Sequence, residues 1–147
     1  MTTRSNNAGR QRRRDSGYRS KLEERVAAEL TEKGIPFLYE PEKLEYHKKV
    51  RSGVCRGCSG KEVYQRHTYL PDFKIGKRYI EVKGRFTSSD RTKMLAVREG
   101  NPKVMIFLVF SANNKLHKSS PTRYGDWADK HGFIWALAGA IPKRWYR

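Results

Sequence analysis

An unbroken apolar segment at residues 104–110 (VMIFLVF) constrains the fold of this 147-residue chain more than any other feature. Polar residues bound the segment, which is too short for a typical helix but suits a strand buried on both faces. A strand of this kind lies inside a sheet that is covered by other elements on both of its surfaces. The segment therefore indicates a layered domain with the strand near its centre.

Three segments are predicted to be helical: residues 21–33, 88–99 and 120–130. The first has apolar residues at every fourth position and follows Ser20, a suitable N-cap. The second begins at Ser88 or Ser89, either of which can cap it. Ser120 and Pro121 resemble an N-cap followed by proline at the first helical position, which predicts the start of the third helix.

The other predicted strands are at residues 35–39, 43–46, 69–75, 78–82 and 133–137. Gly76 and Lys77 form a tight-turn sequence between two of them, which predicts a β-hairpin. Residues 47–67 contain three glycines and are expected to form an irregular basic insertion. In chain order, these elements imply an α/β fold with a mixed central β-sheet flanked by helices.

The charge of the chain points to a polyanionic partner. Lysine and arginine number 32 against 15 acids, which gives a formal net charge of +17. This excess favours nucleic acid, because each phosphate that a cation neutralises releases a counterion. An anionic membrane surface is the alternative. No apolar run is long enough to span a bilayer and no signal peptide is recognisable, so we expect a soluble, cytoplasmic protein.

The N-terminal segment is a separate source of positive charge. Residues 1–17 hold five arginines and one acid, and we expect a disordered basic arm, with residues 18–147 forming the domain. Arg12, Arg13 and Arg14 would follow a phosphate backbone if the arm binds nucleic acid. The other interpretation is a tail that remains solvated.

The pattern with the clearest chemistry is Pro71-Asp72, eight further residues, and then Glu81-Val82-Lys83. Side chains on a strand alternate between faces, so Glu81 and Lys83 should project together while Val82 points to the core. The predicted hairpin would return Asp72 to the side of Glu81. Two carboxylates that close together repel each other, and Mg²⁺ or Mn²⁺ relieves the repulsion. The group therefore predicts metal-dependent hydrolysis of a phosphodiester.

Other interpretations of these residues remain. Glu81 and Lys83 form an ordinary solvent-facing pair in many strands, and Asp72 would then be a turn residue. A basic protein that coats nucleic acid without cutting it fits the composition equally well. A nuclease that acts on linear duplex DNA would carry the same hairpin.

Several stretches of the chain resemble one family of the PD-(D/E)xK nuclease superfamily, the endonuclease I proteins of bacteriophages. The resemblance runs from about residue 18 to residue 145 and is carried by the following motifs, in the same order: RSKLE at 19–23, YLPDF at 69–73, EVKG at 81–84, SPTRYG at 120–125 and KHG at 130–132. Members of that superfamily share a restriction-endonuclease-like core.

The resemblance implies a magnesium-dependent endonuclease that resolves Holliday junctions inside the infected cell. It also implies an intertwined, domain-swapped homodimer whose active sites draw residues from both chains. On this basis Asp72, Glu81 and Lys83 come from one subunit, and Glu23 from the other would join the two acids as a metal ligand. Ser20 and Glu23 alone indicate a capping box, in which the glutamate bonds back to the N-cap.

Basic residues near these motifs are candidate DNA contacts: Arg19, Arg85, Lys115, Lys118 and Arg123. The predicted start of the third helix would offer free N–H groups to a phosphate as well. Any one of these cations alone is more commonly a solvated surface charge.

The insertion at residues 47–67 is longer than the family resemblance implies and raises the question of zinc. Cys55 and Cys58 are spaced as Cys-x-x-Cys, and His47 and His67 flank them. Together the four side chains could form a tetrahedral Cys₂His₂ set, although the histidine spacing is unusual. A redox dithiol is a further interpretation.

Overall fold

A computed structural model describes residues 17–50 and 63–147 of the chain. In these two ranges, three helices, α1 to α3, span Lys21–Glu32, Ser88–Gly100 and Tyr124–Lys130. Seven strands, β1 to β7, span Leu38–Tyr39, Leu44–Val50, Val63–Tyr69, Phe73–Ile75, Arg78–Lys83, Met105–Phe110 and Ile134–Leu137. A short 3₁₀ helix, Lys143–Trp145, follows β7.

The main sheet has five strands in the order β1-β4-β5-β6-β7. Strand β4 is antiparallel to β1 and β5, whereas β5, β6 and β7 are parallel. Every residue of β6 after Met105 is buried, as expected for a strand covered on both faces. The predicted α/β fold with a mixed sheet is therefore confirmed.

The two faces of the sheet carry separate hydrophobic clusters. Helix α1 and the 3₁₀ helix cover one face through residues such as Leu30 and Trp145. Helices α2 and α3 cover the other through residues such as Met94 and Trp127. Val82 belongs to the first cluster, so its neighbours Glu81 and Lys83 face the side of α2, as the alternation of β5 predicts.

The region predicted to be an irregular insertion contains regular structure. Strands β2 and β3 pair antiparallel along their whole length, from Leu44 opposite Tyr69 to Val50 opposite Val63. The prediction was wrong for residues 47–50 and 63–67, because pairing across the ladder makes these largely polar segments into strands. Residues 51–62 and 1–16, and with them the basic arm, lie outside the described residues.

The predicted strand at residues 69–75 is interrupted in the structure. Tyr69 ends β3 and Phe73 begins β4, with Pro71 between them. Proline has no N–H to donate, so the ladder breaks there. The break allows the chain to leave the β2–β3 pair and enter the main sheet at the position of Asp72.

Helix α3 begins later than predicted. Tyr124 donates its N–H to Asn114 O, and Leu116 donates to Thr122 O, which holds the preceding residues in a loop. The N–H of Thr122 is bonded to Ser120 Oγ, so Ser120 stabilises that loop and not the helix. Helix α2 is likewise capped by Thr87, whose side chain exchanges hydrogen bonds with Asp90, and not by either predicted serine.

In the described parts of the chain, no helix has the length and apolar character needed to cross a lipid bilayer.

Candidate active site

The β4–β5 hairpin brings the two predicted carboxylates together. Its register pairs Phe73 with Ile80, which sets the preceding Asp72 beside Glu81. The predicted turn at Gly76 is present, and Gly76 adopts the positive φ of +58° that glycine tolerates best. Both carboxylates are buried, with 5% of Asp72 and 4% of Glu81 exposed.

Asp72 is anchored from two directions. Its Oδ2 accepts the backbone N–H of Val82 at 2.7 Å, and its Oδ1 accepts from Arg19 Nη2 at 3.0 Å. Burial and the nearby charge of Glu81 raise the pKa of Asp72 from 3.8 to about 7, although the Val82 N–H opposes the shift. Burial is the first cause of the shift and the second acid the next, so a cation beside both carboxylates would favour the ionised form of Asp72.

Lys83 is held between two acids. Its Nζ lies 3.0 Å from Glu81 Oε1 and 3.3 Å from Asp90 Oδ1, and the side chain is 21% exposed. Burial would lower the pKa of Lys83, but the charges of Glu81 and Asp90 outweigh burial and raise it. Lys83 is therefore a protonated donor at neutral pH, suited to electrostatic stabilisation and not to removing a proton.

Glu81 is oriented by Tyr69, a residue for which sequence analysis predicted no role. The hydroxyl of Tyr69 donates a hydrogen bond to Glu81 Oε2, and Tyr69 is only 2% exposed. Burial and the charge of Glu81 raise the pKa of Tyr69 well above its usual value, so the hydroxyl keeps its proton. Tyr69 and Lys83 thus hold one carboxylate oxygen each.

Glu23 reaches the same pocket from the first turn of α1 within a single chain. Its Oε2 accepts from the hydroxyl of Tyr39 at 2.7 Å and from the N–H of Arg19 at 3.2 Å. Ser20 caps the helix through the Glu23 N–H at 3.1 Å, and its hydroxyl donates to Glu23 Oε1 at 3.0 Å. Ser20 is therefore the N-cap as predicted, but the Glu23 side chain bonds the Ser20 hydroxyl and the Arg19 N–H and not the Ser20 N–H of a capping box. The same side chain has a place in the site, with only 8% of Glu23 exposed.

These side chains line one pocket of about 370 Å³. Its lining residues are Arg19, Glu23, Tyr69, Leu70, Asp72, Glu81, Val82, Lys83 and Lys93. The four predicted catalytic residues are all among them, and of the predicted DNA contacts that the structure describes, Arg19 alone joins them. Tyr39 and Asp90 hold two of the lining residues in place, because Tyr39 bonds Glu23 and Asp90 is ion-paired with Lys83.

Lys93 is the pocket cation that sequence analysis missed. It projects from α2, and its Nζ lies 5.0 Å from the centre of the Tyr69 ring. Arg19 is ion-paired with Glu40 at 2.6 Å as well as with Asp72, and Lys83 with its two acids. Within residues 17–50 and 63–147, Lys93 forms no ion pair, so its charge is free to meet an anion. Only the position of α2 against β5 reveals this role.

The acids of the pocket could supply some, but not all, of the ligands of a hard divalent cation. No set of three histidine, cysteine, aspartate or glutamate side chains in the described regions is arranged to hold a metal. Mg²⁺ needs fewer protein ligands, because one or two carboxylates suffice when water and phosphate oxygens complete the shell. The buried pair of Asp72 and Glu81 meets that requirement, and the raised pKa of Asp72 shows that added positive charge would be favourable.

The structure separates the two histidines of the zinc hypothesis. Tyr46 pairs with His67 in the β2–β3 ladder, so His47 points to the opposite face of the strand pair from His67. The His67 ring stacks on Tyr46 with a centroid distance of 5.5 Å, and its Nε2 is buried without a hydrogen-bond partner among the described residues. Cys55 and Cys58 lie outside the described residues.

The other candidate DNA contacts lie outside the pocket. Arg85, Lys115, Lys118 and Arg123 are all exposed, and Lys115 and Arg123 face each other across an isolated bridge. Arg123 also donates to Asn113 O at 3.0 Å. Arg12, Arg13 and Arg14 belong to the arm that the structure does not describe.

The sequence of this chain is similar to those of named phage proteins. Residues 4–147 match the family model for phage endonuclease I. "Endonuclease I" of Escherichia phage T7 is 37% identical over 137 residues, which cover 92% of this chain and 82% of that relative. "Endodeoxyribonuclease 1" of Enterobacteria phage T3 is 40% identical over 121 residues, covering 81% of this chain and 70% of the relative.

Proposed function

The chain belongs to the phage endonuclease I family, and from that membership we propose that it resolves four-way junctions and other branched DNA. The names of its relatives identify it as a DNA endonuclease. We infer that it acts in the cytoplasm of the infected cell. The single observation that supports metal-dependent hydrolysis is the buried acid pair of Asp72 and Glu81 beside the ammonium of Lys83.

Mg²⁺ or Mn²⁺ would be held by Asp72 and Glu81, with Glu23 as a third acid at the pocket wall. When bound, the cation would polarise the scissile phosphate and lower the pKa of a water molecule. Tyr69 would keep the Glu81 carboxylate in one orientation during the reaction. The Val82 N–H does the same for Asp72, because it fixes one of the two carboxylate oxygens.

The two lysines of the pocket would act on the phosphate in different ways. Lys83, fixed between Glu81 and Asp90, would orient the attacking water and stabilise the negative charge that develops on the phosphate oxygens. Lys93, which has no carboxylate partner among the described residues, would bind a non-bridging phosphate oxygen directly. Neither lysine needs to lose a proton in these roles.

A cleavage assay tests this function. The protein is incubated with a labelled four-way junction and with a linear duplex of matched sequence, in Mg²⁺ or in EDTA. We expect paired nicks near the branch point that require the metal and are absent from the duplex. Asp72→Asn should abolish cleavage while junction binding is retained or tightened, because the change removes negative charge near the phosphate.

The outcomes separate the competing functions. Equal cutting of both substrates would favour an enzyme of linear duplex DNA and refute junction selectivity. Tight binding without a cut would support a binding-only protein. Full turnover by Asp72→Asn would show that the carboxylate is not catalytic.

The homodimer is a separate part of the proposal and rests on the family. Glu23 contacts the rest of the pocket through Tyr39 and Arg19, and an exchange of α1 between two copies would preserve those contacts. Glu23→Ala and Asp72→Ala proteins are therefore mixed under conditions of subunit exchange. A shared site predicts recovered nicking, since one site of each heterodimer keeps both acids. Sites built within one chain each lose an acid, so no recovery would refute sharing.

A further inference from the structure

The paired strands Leu44–Val50 and Val63–Tyr69, here called the ribbon, form a sheet separate from the main one. Their base is anchored, because Leu44, Tyr46 and Tyr69 are buried in the cluster with α2. Asn101, at the end of α2, also donates to Glu45 O at 2.8 Å. The base of the ribbon is therefore part of the domain core.

The outer half of the ribbon is exposed on both faces. The exposed side chains are His47, Lys48, Lys49, Val63, Tyr64, Gln65 and Arg66. Tyr64 exposes 55% of its surface and Val63 49%, which is high for large apolar residues. Apolar surface exposed on a two-stranded ribbon favours a partner, because such a ribbon gains stability from a layer that packs on it.

The charge of the outer half indicates what that partner is. Among the described residues of this outer half and its base, the charged side chains are Lys48, Lys49, Arg66 and Glu45, and Glu45 is ion-paired with Arg66. The described ribbon residues outside the core thus carry three cations and one anion. The phosphates of DNA would be attracted to these cations, because each phosphate that a cation neutralises releases a counterion.

The base of the ribbon lies at the catalytic pocket. Its last residue, Tyr69, is the residue that bonds Glu81. At about 3.3 Å per residue, Arg66 lies about 10 Å along the ribbon from Tyr69, and Tyr64 about 17 Å. These distances correspond to roughly three to five base pairs of DNA at 3.4 Å each. The major groove of B-DNA is also wide enough to admit a two-stranded ribbon.

We propose that the ribbon is a second DNA-binding surface, which holds the duplex arm beside the cut through Lys48, Lys49 and Arg66. This inference rests on the proposed nuclease function. The ribbon contacts phosphates about three to five base pairs from the scissile one and sets the affinity of the enzyme for the arm. It takes no part in the chemistry, which stays with the pocket.

The test compares two triple variants of the full-length protein that remove the same charge. Lys48→Gln, Lys49→Gln and Arg66→Gln change the ribbon. Lys77→Gln, Lys103→Gln and Lys143→Gln change exposed cations around the other end of β5 and β6, away from Glu81 and Lys83. Junction affinity is measured against salt concentration, and hydroxyl-radical footprinting maps the protected nucleotides.

We expect the ribbon variant to bind the junction at least about tenfold more weakly, with the salt slope reduced by about 2.7 for three phosphate contacts. Protection should disappear about three to five nucleotides from the cut, and the single-turnover cleavage rate at saturating protein should stay unchanged. The control variant should keep the wild-type footprint. The single charge reversal Lys48→Glu, on an exposed side chain, should produce a smaller loss in the same place.

Equal loss of affinity in both triple variants would overturn the proposal, because net charge alone would explain it. An unchanged footprint in the ribbon variant would overturn it as well. Dissociation of a dimer on ribbon substitution, seen by sedimentation, would assign the surface to a second copy of the chain. A wild-type protein that cuts no DNA would instead refute the proposed function, which keeps the two failures distinguishable.

Discussion

Replacing Asp72 with asparagine should change how the stability of the protein depends on pH. Burial and the charge of Glu81 raise the pKa of Asp72 in the folded chain to about 7, against 3.8 for the ordinary group. At pH 5 the carboxyl group is therefore protonated when folded and ionised when unfolded. Folding takes up a proton, so the stability from this group is complete below pH 3.8 and is lost as the pH rises through 7.

The size of the effect follows from the shift. From pH 5 up to its pKa of about 7, a span of about two pH units, Asp72 is protonated in the folded protein and ionised in the unfolded one. Each of these units lowers the free energy of unfolding by about 1.36 kcal/mol. The wild-type protein should thus lose on the order of 2–3 kcal/mol of unfolding free energy from this residue. Asparagine does not ionise in that range. It does give up one of the hydrogen bonds to Val82 and Arg19, which costs about 1 kcal/mol at every pH.

Urea denaturation in EDTA at pH 5, 6, 7 and 8, at constant ionic strength, measures the free energy of unfolding of the wild type and of Asp72→Asn. The difference between the two proteins in how this free energy changes with pH reports the contribution of Asp72. Titrating groups that do not interact with Asp72 are common to both proteins and cancel. Glu24→Gln, which removes an exposed carboxylate of α1, should run parallel to the wild type. At pH 8, Mg²⁺ should stabilise the wild type and not Asp72→Asn. If the free energy of unfolding changes with pH in the same way in the wild type and in Asp72→Asn, the argument that the pKa of Asp72 is raised in the folded protein is refuted.

Three further changes test other parts of the site and core. Tyr69→Phe should raise the Mg²⁺ concentration for half-maximal cleavage on the order of tenfold, since it removes one hydrogen bond to a charged carboxylate; an unchanged metal titration would contradict this. Lys93→Met should weaken junction binding and lower the salt slope by about 1, and an unaltered slope would mean that the lysine contacts no phosphate. Gly125→Ala should destabilise the fold by about 3 kcal/mol in urea, because its Cβ would lie 2.2 Å from the Trp135 ring. Gly84→Ala, whose Cβ has its closest contact at 3.8 Å, is the matched control and should be nearly neutral.

The hairpin of the site could be predicted in detail because its information is local. Gly76 at the turn and strict alternation along β5 determine the positions of Asp72, Glu81 and Lys83 relative to one another. The β2–β3 ladder could not be recognised in the same way. Its strands are separated by residues 51–62, and nothing local to either strand shows that they pair.

The sequence alone determined the fold class, the hairpin with its acids and lysine, and the polyanionic partner, because side-chain alternation, turn chemistry and net charge act over a few residues or over the whole composition. Only the tertiary structure decided which other side chains complete the pocket. Tyr69 and Lys93 come from two different elements, and their positions depend on how β3 and α2 pack against the main sheet; Glu23 on α1 was expected through the family resemblance. That packing is a long-range property, since each element buries an apolar face whose partner lies far away in the chain.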